Sequence, residues 1–306
     1  MKTNKTLMTV CLAGSLMFML VACGGNKTEG DQSQTTDSVT TEVPQVGSIP
    51  FDYPVVETTT AVANEYVLSP SRAFLDKAIE EGGDKASFIF YSNKMVTPGK
   101  GESEIAEIGS KVMIPNSLII PIPAGQEAKK GDIVLTWWQS GSGMQRAIVV
   151  NDANPKEPVV RYLDLAYDNP AKNNKGVPIG QMEETLKPNS FIVITAEWQP
   201  GTAVAYKKDG NYNHAQIINV SGDRVLLNGF AGSVIAIAKS ECVAIPVKVD
   251  VKAGDAVQVP YIGSYKNGKV KKADPKIGRV WVEIQFGGQP KEVVVSYGDI
   301  TKDLAI

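Results

Sequence analysis

The sequence predicts a mainly-β chain, several small bent sheets in tandem preceded by a short α+β N-terminal segment. Three observations point there. Twenty-eight glycines and an aromatic share of only 7% in 306 residues suit a turn-rich β protein better than a helical bundle. A glycine stands three residues ahead of a strand-opening valine in "GDIVLTWW" from Gly131, "GTAVAYKK" from Gly201 and "GDAVQVPY" from Gly254. Pairs such as Asp209-Gly210 then separate apolar runs, as expected of hairpin turns that demand positive φ.

The chain opens with "MKTNKTLMTVCLAGSLMFMLVAC", in which Lys2 and Lys5 precede an apolar run from Leu7. That run has the length of a signal-peptide core and is too short for a comfortable membrane span. Its end, Leu20-Val21-Ala22-Cys23, resembles the bacterial lipoprotein lipobox. The resemblance implies that residues 1–22 are a signal peptide and that Cys23 becomes the mature N-terminus, its thiol joined to diacylglycerol. Buried acyl chains at about 0.8 kcal/mol per methylene make such an anchor firm. The implied location is the bacterial cell envelope. "CGGN" lacks the aspartate that retains some lipoproteins at the inner membrane, which favours the outer one. With Cys11 in the leader and Cys23 lipidated, Cys242 stands alone and no intrachain disulfide is expected.

Residues 23–61 read as the lipid anchor and a flexible acidic tether, rich in Thr, Ser, Gly and acid, with "FDYPVV" as the one stretch suited to local packing. Residues 62–114 form the N-terminal helix-plus-strand segment. Ser69 is the expected N-cap, Pro70 the first helical residue and Gly82-Gly83 the stop, with Phe74, Leu75, Ala78 and Ile79 as the apolar stripe. "ASFIFYSNKMV" follows as a buried strand.

The rest divides into three repeats, 115–186, 187–246 and 247–306. After each glycine–valine strand comes a large residue, two polar ones and a small one: "MQRA" from Met144, "YNHA" from Tyr212, "YKNG" from Tyr265. A further strand follows in each, "VVRYLDL" from Val159, "RVLLNG" from Arg224 and "RVWVEI" from Arg279. "PNSLIIPI" from Pro115 and "PNSFIVIT" from Pro188 read as lead-in strands. This order resembles the small bent-sheet barrel of the Tudor and Agenet modules, within the Src-homology-3-like class, and residues 201–229 match it best. The resemblance implies five-strand barrels that share interfaces, because each is too small to bury much alone. Tudor-type modules commonly bind methylated lysine or arginine in an aromatic cage. Here that implies Trp137, Trp138 and Tyr167 in the first repeat, Trp198, Tyr206 and Tyr212 in the second, and Tyr261, Tyr265 and Trp281 in the third. Set behind an export signal, such modules would meet an extracytoplasmic peptide, glycan or envelope protein.

A net charge of −2 offers no surplus for nucleic acid. A single histidine and one available thiol make no zinc site of the usual kind, and no cofactor motif is present. The acids around Asp164 and Asp168 read as a solvated loop, and Lys266, Lys269, Lys271, Lys272 and Lys276 as a solvated basic edge. His214 aligns with Arg146 and Asn267 in one polar slot of the repeat. Pairing it with Cys242, and Arg279 as a third member, follows the order of sortase-type transpeptidases. Yet "AKSECVAIP" lacks the threonine-rich strand and any glycine-rich oxyanion turn. The expectation is therefore a lipid-anchored envelope protein with a non-catalytic binding or scaffolding role. The alternatives are a cysteine hydrolase or transpeptidase using Cys242 and His214, and a ligand-free structural spacer.

Overall fold

The computed structural model describes residues 45–304, so the leader and Cys23 lie outside the described residues. Within them the chain is mainly β and forms several antiparallel sheets. A four-strand meander recurs four times, and in three of the copies a fifth strand returns to pair with the first. The first unit contains β1 (Tyr66–Pro70), β2 (Phe90–Thr97), β3 (Glu102–Glu107), β4 (Ser110–Pro115) and the closing β5 (Ile120–Ile122). The second has β6 (Ile133–Trp137), β7 (Met144–Asn151), β8 (Val159–Tyr162), β9 (Glu183–Thr185) and the closing β10 (Ile192–Ile194). In the third, β11 (Ala203–Lys208), β12 (Asn211–Ser221), β13 (Arg224–Gly229) and β14 (Val234–Ala238) are closed by β15 (Cys242–Ala244). The fourth comprises β16 (Ala256–Tyr261), β17 (Ser264–Asp274), β18 (Arg279–Phe286) and β19 (Gln289–Ser296), and its closure is a single bridge between Gln258 and Thr301.

A four-residue turn starts every unit. Its carbonyl-to-amide bonds run from the N–H of Glu65 to Val62, Asp132 to Lys129, Thr202 to Gln199 and Asp255 to Lys252, at 2.9–3.1 Å. The third residue has positive φ throughout, as Asn64 (71°), Gly131 (88°), Gly201 (86°) and Gly254 (96°). That is the left-handed position where glycine, or failing it asparagine, avoids the Cβ clash. The fourth residue's side chain accepts from the first residue's N–H in all four turns, through Glu65, Asp132, Thr202 and Asp255. The valine two residues further on then pairs with Asn93, Ala147, Ala215 or Gly268. A register shift bends the second strand at the same place in each copy, at Met95/Thr97, Val149/Asn151, Ile217/Asn219 and Val270/Lys272. Such bulges increase local twist and help a short sheet curl on itself.

Four expectations need correction. Residues 62–114 are not a separate helix-plus-strand piece. With 120–122 they make a complete unit whose helix, α1 (Arg72–Glu81), is inserted between its first two strands. "PNSLIIPI" and "PNSFIVIT" are closing strands of the units before them rather than lead-ins, which moves each boundary some ten residues downstream. The helix is capped by Ser71, not Ser69, because Ser69 and Pro70 are committed to β1 opposite Tyr91 and Phe90. The tether expected over 23–61 does not include 45–61. Residues 45–61 lie against the units: Tyr53 and Ala61 are buried, Phe51 meets Phe88 edge to face, and Asp52 receives Arg224.

The units pack on both faces of their sheets. Val134, Ala147, Val149, Val160 and Phe191 form the second unit's own core. Ile133, Leu135, Trp137, Met144 and Ile148 face the other way, into a core shared with the first and fourth units. This is why all five residues of β6 are buried with no polar alternation. The third unit likewise keeps Val204, Ala215, Ile217, Val225 and Leu227 inside while Ala203 and Ala205 meet Tyr265 and Leu304.

Candidate functional site

Two clefts flank one loop, residues 138–143 ("WQSGSG"), which joins β6 to β7. The loop is held from several sides. The Trp138 N–H donates to Gly143 O (3.1 Å), the Gly141 N–H to Trp138 O (3.0 Å), and Trp138 Nε1 to Ser140 Oγ (2.9 Å). Gly141 lies under the Trp138 ring, where any Cβ would come within 2.3 Å of it. Gln139 ties the loop to the rest of the unit. Its N–H donates to Tyr162 Oη (3.0 Å), its Nε2 to Ser190 Oγ (2.8 Å), and its Oε1 accepts the Lys187 N–H (3.2 Å). Tyr162 Oη in turn donates to Glu184. Burial first, then that carboxylate, keeps the Tyr162 phenol protonated well beyond the ordinary range.

The first cleft, of about 830 Å³, lies between this loop and the β8–β9 connection. Trp138 supplies an apolar wall, and Arg161, Asn173, Lys175, Gln181 and Glu184 supply the polar ones. Arg161 is set by Glu183 (2.8 Å), and the Asn173 Oδ1 organises its own turn by accepting from the N–H groups of Lys175 (2.9 Å) and Val177 (3.0 Å). The second cleft, of about 610 Å³, runs between the first and second units. Phe74 and Tyr91 line it as a parallel pair (6.4 Å between centroids, 6° between planes), facing Trp137 and Lys187. The first cleft is built from the second unit alone, whereas the second is shared between the first and second units.

Of the nine aromatic residues expected to line barrel mouths, Trp138 and Trp137 border these clefts. Trp137 is otherwise buried and packs on Tyr66 (4.9 Å), while Tyr206 and Tyr265 are core side chains, which removes them from a ligand-facing set. The partly exposed rings already hold the protein's own cations. Lys239 sits over Trp198 (4.5 Å), Lys207 over Tyr212 (5.0 Å), Lys291 over Tyr261 (4.9 Å) and Lys272 over Trp281 (4.6 Å). Tyr167 meets Trp281 edge to face (5.3 Å) with Arg279 over its ring (5.7 Å). Phe74 and Tyr91 were missed because their segment was not recognised as a copy of the repeat.

The polar slot of the repeat has a structural use. Arg146 and His214 occupy equivalent register positions, opposite Leu135 and Ala205. Both reach Asp299, through Arg146 Nη2 (2.7 Å) and His214 Nε2 (2.9 Å). Arg146 also donates to Asp164 Oδ1 (2.5 Å), so Asp164 is committed to an ion pair instead of a solvated loop. Burial opposes the Asp299 charge, but Arg146 and His214 outweigh it and hold the carboxyl well below its usual range. Nearby Arg279 donates to the carbonyls of Tyr162 (2.7 Å) and Leu165 (2.8 Å) and to Ser296 Oγ (2.6 Å), with burial lowering its pKa to about 10. The second, third and fourth units are riveted here.

Cys242 and His214 do not form a nucleophilic pair. Cys242 lies opposite Tyr206 on the face of the third unit's own core, whereas His214 lies opposite Ala205 on the other face. Successive residues of β11 point to opposite sides, so the sheet separates them. Burial first, then Glu241, pushes the Cys242 thiol up to about 11, away from thiolate chemistry. Among the described residues no group of three or more His, Cys, Asp or Glu side chains is placed to hold a metal ion. No family model matches the chain, and no curated protein matches it.

Proposed function

We propose that this is a lipid-anchored cell-envelope protein that acts as a non-catalytic binding or scaffolding body for an extracytoplasmic peptide, glycan or protein partner. Its units belong to the Src-homology-3-like class, Tudor type included, and Cys23 carries the lipid. The observation that carries the binding reading is the pair of clefts beside loop 138–143. Both are concave and share a loop pinned at Trp138, Gln139 and Tyr162; the first sets one ring, Trp138, among mainly polar groups, and the second is lined by Phe74, Tyr91 and Trp137. A spacer with no ligand needs no such pinned loop between two clefts. The separation of Cys242 from His214 argues against the hydrolase alternative.

The test is a screen of the mature chain against wall peptides, glycans and envelope extracts, with Trp138→Ala and Tyr91→Ala beside it. The expected result is saturable binding of one class that weakens at least tenfold in one of the two variants while circular dichroism stays unchanged. Silence across all three classes overturns the binding reading in favour of the spacer.

A further inference from the structure

We propose that the junction of the third and fourth units holds a second site, separate from the clefts beside loop 138–143, which takes one neutral sugar ring. A cavity of about 190 Å³ opens there, lined by His214, Gln216, Asn228, Phe230, Pro260 and Ile262 among others.

Its rim is built against the interest of the fold. Ile262 heads the hairpin turn from β16 to β17 with φ 49°, followed by Gly263 at 77°. Both central positions of this turn type ask for left-handed backbone, for which asparagine, aspartate or glycine is the ordinary choice, and a β-branched residue is strained. Ala231, on the neighbouring β13–β14 connection, also has positive φ (56°). Beside these, Phe230 is 61% exposed and Ile262 60% exposed. Gly263 packs against the Phe230 ring so closely that a Cβ there would lie 2.9 Å from it. The strained, exposed Ile262 and the exposed Phe230 meet at one opening, with Ala231 next to Phe230 in the chain. Strain so concentrated marks a surface kept for something other than stability.

The inner wall is polar, carrying the amides of Gln216 and Asn228 and the His214 imidazole. Asn228 Oδ1 is shielded from solvent with no donor among the described residues. Such an acceptor is destabilising until a donor arrives. Gln216 contributes an amide. His214 is fixed by Asp299 at Nε2 (2.9 Å) and by its own N–H, which donates to Gly263 O (2.9 Å). Neither carboxylate nor ammonium lines the cavity.

These features select the ligand. A cavity of about 190 Å³ is on the scale of one pyranose with its hydroxyls. A sugar ring has an apolar C–H face, which suits Phe230 and Pro260, and an edge of hydroxyl donors, which suits Asn228 Oδ1. A charged ligand would find neither a carboxylate nor an ammonium group among the lining residues.

His214 provides the readout, because it is the chain's only histidine. The untagged full-length mature chain is titrated with methyl glycosides of neutral hexoses and N-acetylhexosamines, and with a capped dipeptide, while the His214 ring protons are followed by NMR. One glycoside should shift them saturably, and its affinity should fall at least tenfold in Phe230→Ala and in Asn228→Ala. Phe230 is exposed, so that variant remains informative if Asn228→Ala fails to fold. No response to any glycoside, a response undiminished in Phe230→Ala, or a response to the dipeptide alone overturns the proposal. Because the signal arises at His214, its failure is distinct from failure of binding at the Trp138 clefts.

Discussion

Arg146 is 2% exposed and carries two carboxylates, so its removal would leave Asp164 and Asp299 charged and without their main partner. Breaking a buried pair in this way costs about 3–5 kcal/mol. Arg146→Leu should therefore lower the urea midpoint by a corresponding amount without changing the strand content seen by circular dichroism. Asp299 makes a pH prediction. Its folded pKa lies below the unfolded value, so its stabilisation is complete above the unfolded value of about 3.9 and is lost as pH falls through the folded one. Unfolding between pH 5 and pH 2 should show a fall in stability that is shallower in Asp299→Asn. The Cys242 thiol, pushed up to about 11, should react with a disulfide reagent at pH 8 far more slowly in the native chain than in urea. At this scale the repeat made the equivalence of Arg146 and His214 visible. Their meeting at Asp299 was not, since 153 and 85 residues separate the partners and nothing local records such a contact.

The repeated turn makes a graded prediction for single elements. A Cβ at Gly131 or Gly254 meets nothing within 4 Å, so alanine there suffers only the left-handed backbone penalty, about 1–2 kcal/mol. At Gly201 the added carbon would also come within 2.6 Å of Leu135 Cδ1, and the loss should be larger. Thermal unfolding of the three variants should rank them so. The first copy shows why sequence comparison found three units and the structure four. Asn64 replaces the glycine, Asn93 replaces the small residue opposite the valine, and α1 interrupts the meander, so of the local markers only Val67 is kept. What survived is the geometry: positive φ at Asn64, a capping carboxylate on Glu65, and the bulge at Met95/Thr97. The buried Asn93 is satisfied by donating to Ser69 Oγ (2.9 Å), which makes a polar residue tolerable where the other copies have alanine or glycine.

At the scale of the molecule, the strands' two apolar faces decide the behaviour. Alternation in β6 would have indicated a sheet with one wet side, and its absence was the available hint that units pack on one another. Which unit covers which face was beyond reach, because contacts between units follow no period. A core reaching from Val67 to Val282 should melt as one cooperative transition in calorimetry, and an isolated fragment 201–246 should not fold, since Ala203, Ala205 and Ile218 would lose their cover. Two resolved transitions would show that the units are more independent than their shared cores imply. The rivet at Arg146 and Asp299 has one more consequence. Were the clefts to bind, their attachment to units joined by this ion pair would hold their spacing, so a ligand carrying two recognisable ends would be sorted by its length as much as by its chemistry, the protein serving as a gauge.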